Sequence, residues 1–184
     1  MLSIKNISYW AWFFKGSGAK AGYKRIFNCW IWIHLIIGLL LSLLTDVNLE
    51  IAANTILLPL VGILVGLTFA WGGNAFILLQ SEEIEELSNH HEGGFIEYVF
   101  VYQTAILIIL ITLILWGLAG LRIFDRLFPQ NIYPLIYFVI KVFLFSCVSL
   151  TLRECWHVVK GTHWLLIIQK EIKKKNNKTA HMKE

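Results

Sequence analysis

Two ionisable side chains, His34 and Lys141, lie inside apolar stretches long enough to cross a bilayer. A lysine at the centre of a membrane costs roughly 3 kcal/mol on insertion scales, so its ammonium group should face a bundle interior, a partner or a water-filled cavity. The sequence predicts no acidic residue at the depth of Lys141. It leaves open a neutral amine, an ammonium against the rings of Tyr137 and Phe138, or a side chain that snorkels to the interface. A functional role for Lys141 would be a pore-lining charge or an anion contact.

The elements that must position these groups are four apolar runs, 26–44, 56–79, 98–121 and 133–152. Each is close to the roughly 20 residues that a helix needs to cross about 30 Å of hydrocarbon. Hydrophobic residues make up 57% of the chain, charged residues only 15%, and the mean hydropathy is +0.65, so the composition does not suit a water-soluble domain. The sequence predicts an all-α, polytopic membrane protein built as a bundle of four transmembrane helices.

Three regions follow from these runs. Residues 26–152 form the transmembrane domain, and residues 153–184 form a cytoplasmic, amphipathic and basic C-terminal segment. Residues 1–25 form an N-terminal segment with an interfacial helix over Ile4–Phe14, whose aromatic rings would lie at headgroup depth, either as a simple anchor or as a sensor of lipid packing.

The distribution of lysine and arginine predicts the orientation, because these residues are retained on the cytoplasmic side. Both terminal segments are rich in them, whereas the loop at 45–55 has none. We therefore expect a multi-pass protein of the inner (plasma) membrane with both termini in the cytoplasm. The loop at 81–94 is then also cytoplasmic, although it carries no lysine or arginine.

Small and polar residues recur every four positions in the first two spans. The first-span row consists of His34, Gly38 and Ser42, and the second-span row of Gly62, Gly66, Ala70 and Asn74. Lipid gives helices no hydrophobic reason to associate, so close packing at small residues must hold them together. Two arrangements are open: the rows pack on each other within one chain, with His34 opposite the 66–70 stretch, or a row forms the subunit interface of a homo-oligomer.

The cytoplasmic loop carries a dense acidic stretch: Glu82, Glu83, Glu85 and Glu86. The second span is predicted to continue as a helix to about Asn89 and to end at the glycine pair 93–94. An anionic leaflet repels this helix, so it should project into the cytoplasm. It is either a solvated helix, paired with the chain's own Lys173–Lys175, or a docking surface for a basic cytoplasmic partner.

Motifs of enzymes and of metal or cofactor sites are not found. The sequence has no phosphate-binding loop, zinc-protease, serine-hydrolase or calcium-loop pattern, so no catalytic residue, metal or cofactor is predicted. The basic C-terminal segment is what a cytoplasmic location requires, so direct binding of nucleic acid is not predicted either.

Two classes of function remain. The first is a non-enzymatic, self-associating membrane scaffold or sensor that displays the acidic loop to a soluble partner. The second is a small oligomeric ion channel or transporter with Lys141 and His34 along its path. The first is preferred, because no pair of spans carries the interrupted-helix pattern of transporter sites, apart from Gly72-Gly73 in the second span.

In size, number of predicted spans, predicted cytoplasmic termini and lack of enzyme motifs, the chain resembles the small four-span membrane subunits of bacterial anti-phage defence systems, such as the membrane component of the Kiwa system. The resemblance is one of architecture. It implies a homo-oligomer in the inner membrane that works with a cytoplasmic effector, for which the acidic 82–86 stretch would be the contact.

Overall fold

The computed structural model describes residues 8–16, 22–81, 84 and 94–181 of the 184-residue chain, and these form helices joined by turns and short loops, without any strand. The helices are α1 (Tyr9–Lys15), α2 (Tyr23–Ile26), α3 (Ile31–Leu44), α4 (Leu49–Ala52), a π-helical turn (Ala53–Leu57) that leads into α5 (Leu58–Leu79), α6 (Gly94–Gly120), α7 (Ile123–Leu127) and α8 (Pro134–His181). The predicted all-α fold is confirmed.

Among the described residues, three helical stretches are long and apolar enough to cross a membrane: Leu49–Leu79, Tyr98–Gly120 and Pro134–Lys175. They overlap the second, third and fourth predicted spans, 56–79, 98–121 and 133–152, but the first begins earlier than predicted and the last extends well beyond residue 152. The first of them has 31 residues. At a rise of 1.5 Å per residue it is about 46 Å long, well beyond the hydrocarbon thickness. By length and composition, these helices are therefore able to cross a membrane.

The first predicted span is not confirmed. Its helix, α3, has 14 residues and begins at Ile31, five positions later than predicted. A helix of this length extends about 21 Å, short of the roughly 30 Å of hydrocarbon. The chain turns before it because the side-chain oxygen of Asn28 accepts a hydrogen bond from the backbone N–H of Trp30 at 2.9 Å. Such a local bond competes with the helix for a backbone donor.

The predicted helical extension into the acidic loop also begins differently. α5 ends at Leu79, and the Ser81 hydroxyl donates to the Leu78 carbonyl at 2.8 Å, while the backbone N–H of Ser81 bonds to the same carbonyl. These bonds satisfy a carbonyl that a continuing helix would use. The helix predicted to reach Asn89 is therefore interrupted at its start, and most of the remaining stretch lies outside the described residues.

The chain divides into two compact units. Unit 1 comprises the described residues within 1–27, 69–104 and 157–184, and unit 2 comprises 28–68 and 105–156. In unit 1, α1 packs on α6: Trp12 is buried against Phe100, and the Tyr9 hydroxyl is 3.1 Å from the Thr104 hydroxyl. Part of the predicted interfacial helix, Ile4–Ile7, lies outside the described residues. In the described part, Trp10 and Phe14 are exposed, and their location at headgroup depth stays a prediction.

The core of unit 2 is built around Trp116, whose side chain is fully buried among residues of α4, α6 and α8. Its indole Nε1–H donates to the Leu144 carbonyl at 3.2 Å, and its ring meets that of Phe145 edge-on at 5.4 Å. Nearby, the Thr151 hydroxyl donates to the Thr112 hydroxyl at 2.9 Å. In lipid, such interhelical hydrogen bonds and close contacts are what hold helices together.

Candidate functional site

The candidate site is the contact between α3 and α8 in unit 2, here named the α3–α8 contact. On α3 the buried residues are His34, Gly38 and Ser42, which is the first-span row predicted from the sequence. The large apolar side chains of α3, such as Ile36 and Leu43, are exposed. Since α3 buries only its small and polar stripe, that stripe determines how this helix is held.

At the C-terminal end of α3, Lys141 of α8 donates a hydrogen bond from Nζ to the Thr45 carbonyl at 2.5 Å. Thr45 is the C-cap residue of α3. At this end of a helix, backbone carbonyls lack partners within the helix, and the helix dipole has its negative end. The carboxylate of Asp46 also acts electrostatically on the buried Lys141, although the sequence predicted no acid at its depth. Lys141 thus stabilises the end of a neighbouring helix, an arrangement that the sequence had not indicated.

In the middle of the contact, Gly38 brings two backbones together. A Cβ atom added to Gly38 would overlap the Ser146 hydroxyl and would lie 2.6 Å from the Val142 carbonyl oxygen and 2.8 Å from the Ser146 nitrogen. The Ser42 and Ser146 hydroxyls each donate to a carbonyl four residues earlier on their own helix. The contact is therefore closely packed here, and its hydroxyl groups are already satisfied.

At the other end, His34 is 8% exposed, and its Nδ1 lies 2.8 Å from the Ser149 hydroxyl. The other ring nitrogen, Nε2, is buried and has no hydrogen-bond partner among the described residues. Beside it on α8, Arg153 donates from Nε and Nη2 to one carboxylate oxygen of the buried Glu154, at 2.9 and 2.6 Å. The charges of Arg153 and Glu154 act on the imidazole.

The structure gives the first-span row a different partner from the predicted one. The row packs on α8, whereas a Cβ added to Gly62 or Gly66 would meet no described atom within 4 Å. Gly62, Gly66, Ala70 and Asn74 are all exposed. The close approach that the rows were expected to make instead occurs between Gly38 and the α8 backbone. The second-span row as a subunit interface stays a prediction.

The predicted docking residues Glu82, Glu83, Glu85 and Glu86 lie outside the described residues. Sequence reasoning also missed Ser149, Arg153 and Glu154 as members of the contact. A signal was present, because Ser149 and Arg153 are four residues apart and so share one helix face. These residues lie near the end of the fourth apolar run, where polar side chains are common and so do not by themselves indicate a buried contact.

Together, the fold and the contact define a protein whose described residues form helices without strands, three of them long and apolar enough to cross a membrane, with a buried polar contact between two helices. In the part of the chain that the structure describes, no group of three or more potential metal ligands comes together. Comparison with known protein families, curated proteins and solved structures finds no match for this chain.

Proposed function

We propose that this chain is a non-enzymatic, self-associating scaffold or sensor of the inner membrane, with both termini in the cytoplasm, that recruits a soluble cytoplasmic partner. The observation that carries the proposal is the closed packing at Gly38. Two ionisable groups, His34 and Lys141, lie on opposite sides of the close packing at Gly38. His34 bonds to Ser149 of α8 and Lys141 to the Thr45 carbonyl, so neither side chain lines an open channel in this contact. Their geometry supports a role in holding helices.

Self-association is supported by the exposure of the second-span row. Gly62 and Gly66 have open space where a side chain would be, which lets the backbone of another helix approach closely. A second copy of the chain is the partner that a closed homo-oligomer would bring to this face.

Recruitment is supported by the acidic stretch at 82–86, whose four carboxylates favour a basic partner surface. The resemblance to membrane subunits of anti-phage defence systems favours the same kind of partner, a cytoplasmic effector. Electrostatic recruitment of this kind weakens as salt screens the charges.

The test is to change Glu82, Glu83, Glu85 and Glu86 together to Gln. We expect co-purification of the cytoplasmic partner from native membranes to be lost, while insertion of the chain is unchanged, because acidic loop residues hardly influence topology. Wild-type recruitment should weaken at high salt. The control is Glu171→Gln, an exposed carboxylate of α8, which should leave recruitment intact. A partner retained equally by the quadruple variant would contradict the proposal.

A small oligomeric channel or transporter is the second candidate, favoured by the burial of His34 and Lys141 along a single helix contact. Lys141→Met separates the two. If Lys141 holds α3, the variant loses about 1–3 kcal/mol of unfolding free energy, because the partly buried Thr45 carbonyl is left without its donor, and the purified wild-type protein carries no ion flux in vesicles. Lys160→Met, at an exposed position of α8, is the control for stability. Lys141-dependent conductance of the purified wild-type protein would favour the channel.

A further inference from the structure

α3 is held to α8 by few interactions. Its large side chains, including Ile36 at 55% and Leu43 at 65% exposure, do not contribute to the core. Lipid tails are as favourable a surrounding for these apolar side chains as protein is. The side chains therefore give α3 little preference for its position against α8. The docked position therefore depends on the packing at Gly38 and on the two polar attachments, Lys141 with Thr45 and His34 with Ser149.

The His34 attachment is incomplete. A neutral imidazole has one donor and one acceptor nitrogen, and here only Nδ1 is engaged, by Ser149. In either tautomer, Nε2 is left buried without a partner among the described residues. A buried polar atom in this state loses its hydration without a compensating hydrogen bond, and in native structures it calls for an explanation.

Two charged groups of α8, Arg153 and Glu154, act on His34 among the residues that the structure describes. One oxygen of the Glu154 carboxylate already accepts two hydrogen bonds from Arg153. A proton added to the neutral ring would place a second positive charge beside a carboxylate that is already paired. In surroundings with little water this charge is poorly compensated, whereas a ring that leaves the contact can be hydrated.

We propose that His34 makes the docking of α3 on α8 sensitive to protons: protonation of the ring separates the His34 end of α3 from Ser149, while Lys141 holds the opposite end. The ligand of this site is the proton, and the moving element is α3. Histidine is suited to this because its charge changes between about pH 5 and pH 8. The inference deepens the sensor half of the proposed function and rests on it.

The test measures the distance between spin labels at Ile36→Cys on α3 and Leu152→Cys on α8, both exposed positions of unit 2 close in sequence to His34 and Ser149, in nanodiscs. The three native cysteines, Cys29, Cys147 and Cys155, are replaced by Ser. At about pH 8 we expect one distance population, and towards about pH 5 a second population that grows at least several-fold. Unchanged distances over this range would overturn the proposal.

Three variants identify the responsible group. His34→Gln keeps an amide in place of the ring but cannot take up a proton, so the pH response should disappear. His163→Gln removes an exposed histidine of α8 and should leave the response unchanged. Glu154→Gln removes the carboxylate that partly offsets the charge of Arg153 and of a protonated ring, so the second population should appear at higher pH than in wild type. A response in His34→Gln equal to that of wild type would contradict the proposal.

Hydrogen exchange of α3 amides in the chain with its native cysteines gives an independent readout if a substituted background does not fold. After correction for intrinsic exchange, protection of amides near His34 should decrease as the pH is lowered, whereas protection near Thr45 should persist. These measurements use the purified protein without a partner. A failure of the pH response therefore leaves salt-sensitive recruitment to be judged by its own test.

Discussion

Gly38→Leu should separate α3 from α8 and lower the free energy of unfolding by about 3 kcal/mol or more, the upper range for overpacking a core. The reason is geometric. The added Cβ alone would overlap the Ser146 hydroxyl, and two of the three nearest atoms are backbone atoms, which cannot move aside as a flexible side chain can. Folded yield after extraction and unfolding in bilayers by steric trapping measure the effect.

Gly66→Leu is the matched control, since Gly66 lies in open space. It should leave the unfolding free energy within about 0.5 kcal/mol of wild type, as expected for a substitution away from packed features. If the second-span row is a subunit interface, this control should instead change the assembly state seen in nanodiscs. A second control is Gly38→Leu combined with Ser146→Ala, which relieves the hydroxyl overlap but not the backbone contacts. Full rescue by it would contradict the close backbone approach.

Trp116→Ala should reduce the unfolding free energy by about 3–5 kcal/mol, the usual cost of deleting a buried aromatic side chain. Trp116 has no exposed surface, packs edge-on against Phe145, and donates its indole hydrogen to the Leu144 carbonyl. The substitution would leave a large void between helices and remove an interhelical hydrogen bond. Unfolding in bilayers by steric trapping, with thermal unfolding as a second measure, reports the loss.

Two further tryptophan variants test this account. Trp116→Phe keeps a ring against Phe145 but loses the hydrogen bond, so its cost should fall to about 1 kcal/mol plus a smaller packing term. Trp156→Ala removes a side chain that is 65% exposed and should change stability by no more than about 0.5 kcal/mol. A similar loss for Trp116→Ala and Trp156→Ala would mean that Trp116 does not form the core.

Most of the helical fold could be predicted from the sequence, because the length of an apolar run is a local property. The second, third and fourth runs became helices long and apolar enough to cross a membrane. The start of α3 could not be predicted from hydropathy, since a single side chain, Asn28, diverts the backbone within an otherwise aromatic and apolar stretch. The same holds for the end of α5, where the Ser81 hydroxyl occupies a helix carbonyl.

The candidate site was predicted in part. His34, Gly38 and Ser42 were recognised as a row, because the spacing of residues on one helix reveals a common face. The partner of that row could not be predicted from spacing, because spacing along one helix does not show which other helix it meets. The second-span row was the expected partner, but the structure pairs the first-span row with α8 through Ser146 and Ser149. Lys141 was recognised as costly in a membrane, but its acceptor is a backbone carbonyl, which leaves no mark in the sequence.

The sequence by itself determined the class of the protein: its apolar runs and scarce charges make a lipid-compatible helical fold, because only internally hydrogen-bonded backbone is stable in hydrocarbon. Only the tertiary structure decided which helices meet. Lipid gives no hydrophobic preference among apolar faces, so pairing is set by where backbones fit closely and where polar groups find partners. Gly38 against the α8 backbone, Lys141 on the end of α3, and His34 beside Ser149 with Nε2 unpaired among the described residues all follow from that fit.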